Sequence, residues 1–164
     1  MEDSPSRSNS IGTMIGLGCG IPLAAIVILM AGGLIYLSTQ PDGGVQLANN
    51  VEDYAIAYIN ENKLLEPDED LVAYYDVTVQ LDSSEAAILT NSRILYHKDG
   101  KTTAIPLAEV ERLDRGGDGM GGDQIVVHSK TGESMLIEIA VWNGGDVFFS
   151  TLEQQVQQAQ QASP

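Results

Sequence analysis

The stretch AILTNSRILYHKDGKTTAIPLAEV, residues 87–110, decides the fold of this chain. Apolar and polar residues alternate on both sides of the turn at residues 98–101, which contains the pair Asp99-Gly100. An Asp-Gly pair between two such runs is a strong signal for a tight β-hairpin. The stretch therefore predicts short antiparallel strands at residues 86–90, 93–97 and 102–105.

Alternation extends this pattern in both directions along the chain. Upstream, a long half-buried strand is predicted at residues 71–82. Downstream, three more strands are predicted at residues 107–113, 124–129 and 134–141. Residues 116–122 (GGDGMGG) are predicted to form a flexible loop. The last strand leads through Trp142, expected in the core, into an amphipathic helix with an apolar stripe of Phe148, Leu152, Val156 and Ala159. Seven strands followed by one helix are thus expected.

Two short motifs in this order are similar to a known family. AILTNSRILY at residues 87–96, followed by IPLAEV at residues 105–110, resembles the signature of bacterial pleckstrin-homology-like (PH-like) and GRAM-like domains. The resemblance implies a seven-stranded antiparallel barrel or sandwich capped by the C-terminal helix. We expect the PH-like domain at residues 67–158, followed by a disordered tail at 159–164, because the Gln-rich end has little left to bury. Another small antiparallel barrel or sandwich is the alternative.

The N-terminal part of the chain has the composition of a membrane anchor. Residues 8–41 contain no charged side chain, and residues 11–37 would reach about 40 Å as a helix, enough to cross a bilayer with some tilt. A signal peptide fits less well because the apolar stretch is too long, and a lipoprotein site at Cys19 lacks the expected leucine. We expect a disordered tail at residues 1–10, a transmembrane helix at 11–37, a linker at 38–49 and an amphipathic connecting helix at 50–66.

Small residues recur at every fourth position of the predicted span. Gly12, Gly16, Gly20 and Ala24 would share one helix face, and such a stripe lets a second helix approach closely. The alternative is that the stripe reflects only the general abundance of small residues in membrane helices. We expect a helix–helix interface at these four positions.

Charge excludes some ligands. The net charge of −15 disfavours nucleic acid. The resemblance implies that residues 71–90 correspond to the phosphoinositide-binding strands of PH domains. They contain no lysine or arginine, so phosphoinositide binding is not expected. The remaining basic residues near the third hairpin form a possible interaction surface of Arg93, His97, Lys98 and Lys101. A solvated turn is the alternative interpretation of this group.

The sequence shows no catalytic constellation, and no enzyme activity, cofactor or metal site is predicted. His97 and His128 lie on different predicted strands, where each is expected at the surface. Three aspartates near the glycine-rich loop, Asp114, Asp118 and Asp123, could at most hold a weakly bound cation. The acidic run EPDED at residues 66–70 is expected to be a solvated loop.

These features favour a non-enzymatic, membrane-tethered PH-like interaction module that binds a protein partner or a second copy. The alternative is an accessory subunit of a larger membrane complex, docked through its transmembrane helix, and a lipid-sensing module comes third. We expect a single-pass protein of the cell membrane. PH-like domains are usually cytoplasmic, which favours that side for the domain, although the lone Arg7 before the span points the other way.

Overall fold

The computed structural model describes residues 43–78, 84–117 and 121–162, which belong to one compact unit. The predicted N-terminal tail, the transmembrane helix and the stripe of Gly12, Gly16, Gly20 and Ala24 lie outside the described residues. Among the helices that are described, none has the length and apolar character needed to span a bilayer.

The described chain forms two antiparallel sheets and two α-helices. A five-stranded sheet has the order β1-β2-β3-β4-β5, and a three-stranded sheet has the order β6-β7-β8. The strands are β1 (Gln46–Leu47), β2 (Leu71–Asp76), β3 (Glu85–Thr90), β4 (Arg93–Lys98), β5 (Lys101–Pro106), β6 (Val110–Gly116), β7 (Asp123–Ser129) and β8 (Ser134–Ile139); the helices are α1 (Asp53–Glu61) and α2 (Gly145–Ala162). The seven predicted strands correspond to β2–β8, and β1 is an addition. The mainly antiparallel fold with a C-terminal helix is confirmed.

The five-stranded sheet is covered on both of its faces. Ala55 and Ile59 of α1 pack with Tyr74, Ile88 and Leu95 on one face. The other face contributes to the main core, so four successive residues at the end of β2 are buried. The prediction of a half-buried strand was therefore wrong, because α1 covers the face that alternation would leave in water. The strand also ends at Asp76, and residues 79–83 of the predicted strand lie outside the described part.

The main core lies between the two sheets and α2. Phe148 and Leu152 of α2 are fully buried in it, and Val156 is nearly so, which confirms the predicted apolar stripe. A barrel or a sandwich was expected, and no strand pairing joins the two sheets within the described residues, so they do not close into a barrel. The predicted fifth strand begins instead as a 3-10 turn at Leu107–Glu109, which carries the chain from one sheet to the other.

Three predicted boundaries are corrected by contacts from distant parts of the chain. The end of the expected linker at residues 38–49 forms β1, which pairs with β2 through Gln46↔Tyr74 and Leu47↔Ala73. The connecting helix occupies Asp53–Glu61 rather than residues 50–66.

The expected disordered tail at 159–164 is helical up to Ala162. Ala159 packs against the core, and Gln160 Nε2 donates a 2.8 Å hydrogen bond to the carbonyl of Val110. These two contacts hold the last turn of α2 on β6.

Candidate functional site: the Trp142 corner

The most unusual exposed side chain in the described structure lies where β8 passes into α2. We use the name Trp142 corner for residues 142–144 together with the incoming chain at residues 43–45. Trp142 is 95% exposed, far more than any other large hydrophobic side chain that the structure describes as exposed. It is also the single tryptophan of the chain.

Hydrogen bonds hold the backbone of this corner firmly. The Ala140 N–H donates to Tyr75 Oη at 3.0 Å, and the Val45 N–H donates to the Asn143 carbonyl at 2.8 Å. The Phe148 N–H donates to the carbonyl of Gly144 at 3.0 Å, which closes the first turn of α2. The corner is thus fixed to β2, to the chain that enters β1, and to the helix.

The corner places Trp142 in a strained conformation. Its φ of +71° lies in the left-handed region, which costs a non-glycine residue about 1–2 kcal/mol. Gly144, two residues later, has a φ of +82°, and there glycine relieves the strain. Strain of this kind persists when the surrounding structure fixes the backbone, and it is frequent at binding and catalytic sites.

The expectation that Trp142 lies in the core was wrong. The core positions at this junction are occupied by Ile139 at the end of β8 and Phe148 in the first turn of α2, and both are buried. The chain reverses between them within a few residues, and Trp142 lies on the outside of that reversal. The size of the side chain alone would favour burial. The exposure of Trp142 is therefore set by the geometry of this reversal.

Two open clefts flank the indole. One has a volume of about 420 Å³ and is lined by Gly43, Gly44, Val45, Gln46, Asn50, Glu52, Trp142 and Asn143. The other has a volume of about 290 Å³ and is lined by Gly117, Gly122, Asp123, Val141 and Trp142. Glycine backbone and polar groups dominate both linings. Neither cleft lining includes a lysine or arginine in the part of the chain that is described.

Acidic groups surround the corner, and one of them is ion-paired. Glu52 lines the first cleft and Asp146 is exposed at the start of α2. Asp123 lines the second cleft and forms a 2.7 Å ion pair with Arg115. The Arg115 guanidinium lies 5.6 Å above the ring of Phe149, which ties β6 to α2.

Of the predicted interaction surface of Arg93, His97, Lys98 and Lys101, the structure places Lys98 opposite Lys101 in the β4–β5 hairpin, with Arg93 at the other end of β4. Lys98 forms a 2.8 Å ion pair with Glu85, and Lys101 is exposed near the hairpin turn. His97 is only 4% exposed and its Nδ1 lies 2.8 Å from Thr102 Oγ1, so its predicted surface position was wrong. It is buried because α1 covers this face of the sheet, where Tyr58 contacts the imidazole edge-on.

Arg93 has a structural role that the sequence did not indicate. Its Nε and Nη2 donate to the two carboxylate oxygens of Glu69 at 2.7 and 2.8 Å, and its Nη1 lies 3.3 Å from Glu66. Glu69 also accepts hydrogen bonds from Thr90 and Ser92 in the same motif. The arginine that follows the TNS turn therefore joins β4 to the chain that precedes β2.

Glu69 also corrects the interpretation of the acidic run EPDED as a solvated loop. Its side chain is only 6% exposed. Burial by itself raises the pKa of Glu69, but the hydrogen bonds from Arg93, the Glu66 backbone and Ser92 outweigh it and lower the pKa to about 2. The carboxylate is thus held ionised by its structural partners.

The aspartates proposed as a weak cation site are used in other ways where they are described. Asp114 Oδ2 lies 3.1 Å from Arg112 Nη2 and 3.0 Å from His128 Nε2, and Asp123 is paired with Arg115. Asp118 lies outside the described residues. The described ranges contain no group of three or more histidine, cysteine or acidic side chains arranged to hold a metal ion.

Comparisons with known proteins return similarities of fold. A pleckstrin homology domain from Shewanella amazonensis has 15% sequence identity and a TM-score of 0.49, with 64% of this chain and 89% of that chain covered. A DUF1696 family protein with a pleckstrin-homology domain from Shewanella loihica has 12% identity and a TM-score of 0.47, with 72% and 98% covered. No protein-family model and no curated protein matches this chain.

Proposed function

We propose that this protein is a non-enzymatic, membrane-tethered interaction module of PH-like architecture, and that the Trp142 corner is its contact surface. The tether is the uncharged N-terminal stretch of the sequence. The observation that carries the proposal is the 95% exposure of Trp142 on a rigid, strained backbone.

The described polar groups support a binding role over a catalytic one. Arg93, Lys98, Arg112 and Arg115 are each held in an ion pair with a neighbouring carboxylate. Every buried side-chain nitrogen and oxygen in the described residues has a hydrogen-bond partner. Side chains arranged in this way stabilise the fold and leave little chemistry for a substrate.

The Trp142 corner has the properties of a contact point. Tryptophan is among the residues that contribute most to binding when it becomes desolvated at an interface. Because hydrogen bonds already fix the backbone of the corner, binding there needs little further ordering of the backbone. Two ligands suit an exposed indole of this kind: an apolar pocket on a protein partner or second copy, and the interfacial layer of a bilayer.

A photocrosslinking experiment tests whether this corner makes contacts at all. A photoreactive benzoyl-phenylalanine is incorporated at position 142 of the full chain, and a matched variant carries it at Lys101, which is also exposed. After irradiation of intact membranes, we expect crosslinks to lipid or protein at position 142 and not at position 101. Crosslinks only at position 101 would indicate that the contact surface is instead the predicted group of Arg93, His97, Lys98 and Lys101. An absence of crosslinks at both positions would contradict the proposal.

A further inference from the structure

We infer that the Trp142 corner rests on the host bilayer, with the indole in the interfacial layer of zwitterionic lipid, so that the domain is held in one orientation on the membrane. This inference rests on the proposed function and names the ligand of its contact surface.

In the sequence, a short connection joins the predicted anchor to the corner. Only the five residues 38–42 separate the end of the predicted span from Gly43. Fully extended, they reach about 17 Å, since a residue spans at most about 3.3–3.6 Å. Gly43 and Gly44 line the same cleft as Trp142, and Val45 is hydrogen-bonded to Asn143. The chain that follows the predicted tether therefore enters the domain at the corner that carries the exposed indole.

The chemistry of an isolated indole fits the interfacial layer of a bilayer. Tryptophan is enriched at the depth of lipid headgroups, where its ring meets an apolar layer and its N–H remains in polar surroundings. The clefts on either side of Trp142 are lined mainly by backbone and polar groups, and besides the indole each lining has one large apolar side chain, Val45 or Val141. A single inserted aromatic needs no complementary pocket, whereas a protein interface would bury a wider apolar area around it.

The acidic side chains at the corner favour zwitterionic over anionic lipid. Glu52 lines the cleft beside Trp142 and Asp146 is exposed four residues after it, while the described cleft linings contain no lysine or arginine. Anionic headgroups would meet like charge at this corner. We therefore expect contact with zwitterionic lipid, insensitive to salt and weakened by anionic lipid.

Because Trp142 is the single tryptophan, its fluorescence reports this contact directly. The purified full chain is inserted into nanodiscs of phosphatidylcholine, with or without bromine atoms on the upper acyl chains, which quench indoles in contact with them. The control is the double variant Trp142→Phe and Thr103→Trp. Thr103 is exposed on β5, at the opposite edge of the five-stranded sheet from β1. Circular dichroism checks that both proteins are folded.

We expect the native indole to emit at shorter wavelength than the relocated one and to lose most of its intensity in brominated nanodiscs, while the relocated indole is unaffected. Native emission that is neither shifted nor quenched would overturn the inference. A shifted but unquenched emission would assign the contact to a second copy of the chain, which overturns the membrane as ligand and leaves the proposed contact surface intact. The crosslinking experiment above tests that surface separately.

Discussion

Replacing Trp142 with glycine should stabilise the domain, although it removes the largest side chain of the contact surface. With 95% of the side chain already in water, little burial is lost. Aromatic side chains bury about 150–250 Å² when they are enclosed, so the remaining twentieth corresponds to about 10 Å² and about 0.3 kcal/mol.

The backbone contributes with the opposite sign. Glycine relieves the strain of the left-handed φ of +71°, which raises the free energy of unfolding by about 1.5 kcal/mol. The greater freedom of glycine in the unfolded chain lowers the free energy of unfolding by about 0.7 kcal/mol. The net expectation is a gain of about 0.5 kcal/mol, which corresponds to a rise in melting temperature of about 2 °C. Trp142→Ala keeps the strain and should be about 0.3 kcal/mol less stable than the native domain.

Thermal and urea unfolding of a domain lacking residues 1–42 would measure both variants. The decisive quantity is the difference between glycine and alanine, about 0.8 kcal/mol in favour of glycine. If alanine is as stable as glycine, the corner is not strained, and the argument that the indole is held there at an energetic cost is wrong. Loss of membrane contact in the more stable glycine variant would show that stability and binding are opposed at this position.

Three further predictions concern the fold. Leu152→Ala should cost about 2–5 kcal/mol in the free energy of unfolding, because Leu152 is fully buried; a melting temperature within a degree or two of the native value would contradict the packing of α2 on the core. The pKa of Glu69 falls from 4.5 to about 2 on folding, so the stability contributed by its carboxylate is complete above pH 4.5 and is lost as the pH falls towards 2. Glu69→Gln should therefore flatten the pH dependence of urea unfolding in that window. An unchanged profile would refute the role of the Arg93 pair. Gln160→Ala should weaken the last turn of α2 and speed amide exchange there, with the exposed Gln157→Ala as control, and equal exchange in both would show that the bond to Val110 does not hold the end of the helix.

Local signals predicted the strands well where the turn chemistry was explicit. The Asp99-Gly100 pair takes positive φ at both positions, as a tight hairpin turn requires, and β4 and β5 pair across it in register. The alternating apolar residues Met135, Ile137 and Ile139 of β8 are buried, as the alternation in the strand predicted at 134–141 requires. In these elements the pattern and the final packing depend on neighbours close in sequence.

The features that the sequence did not predict depend on contacts between distant residues. Glu69 is one of four acidic residues in a run of five, and only its position opposite Arg93, 24 residues later, makes it a buried partner. At the start of α1, the Glu52 N–H donates a 2.9 Å hydrogen bond to Gln46 Oε1, a contact between residues on separate elements. The large apolar side chain of Trp142 predicted a core position, whereas its exposure is set by how β8 meets α2. The membrane anchor and its glycine stripe remain predictions.

The short strand β1 has a mechanical consequence. It is the first part of the domain to feel tension on the N-terminal chain, and it is held by two residue pairs with β2 and by the bond from Val45 to Asn143. The other strands of the sheet are paired over five or six positions, so we expect a pull on the tether to peel β1 away before it opens the core. Single-molecule stretching from the N-terminus should then show a small early extension ahead of the main unfolding event, and one event alone would contradict this order. Detachment would also free the backbone of β2 along one edge, so that the domain could convert a pull from the membrane into a newly available strand edge.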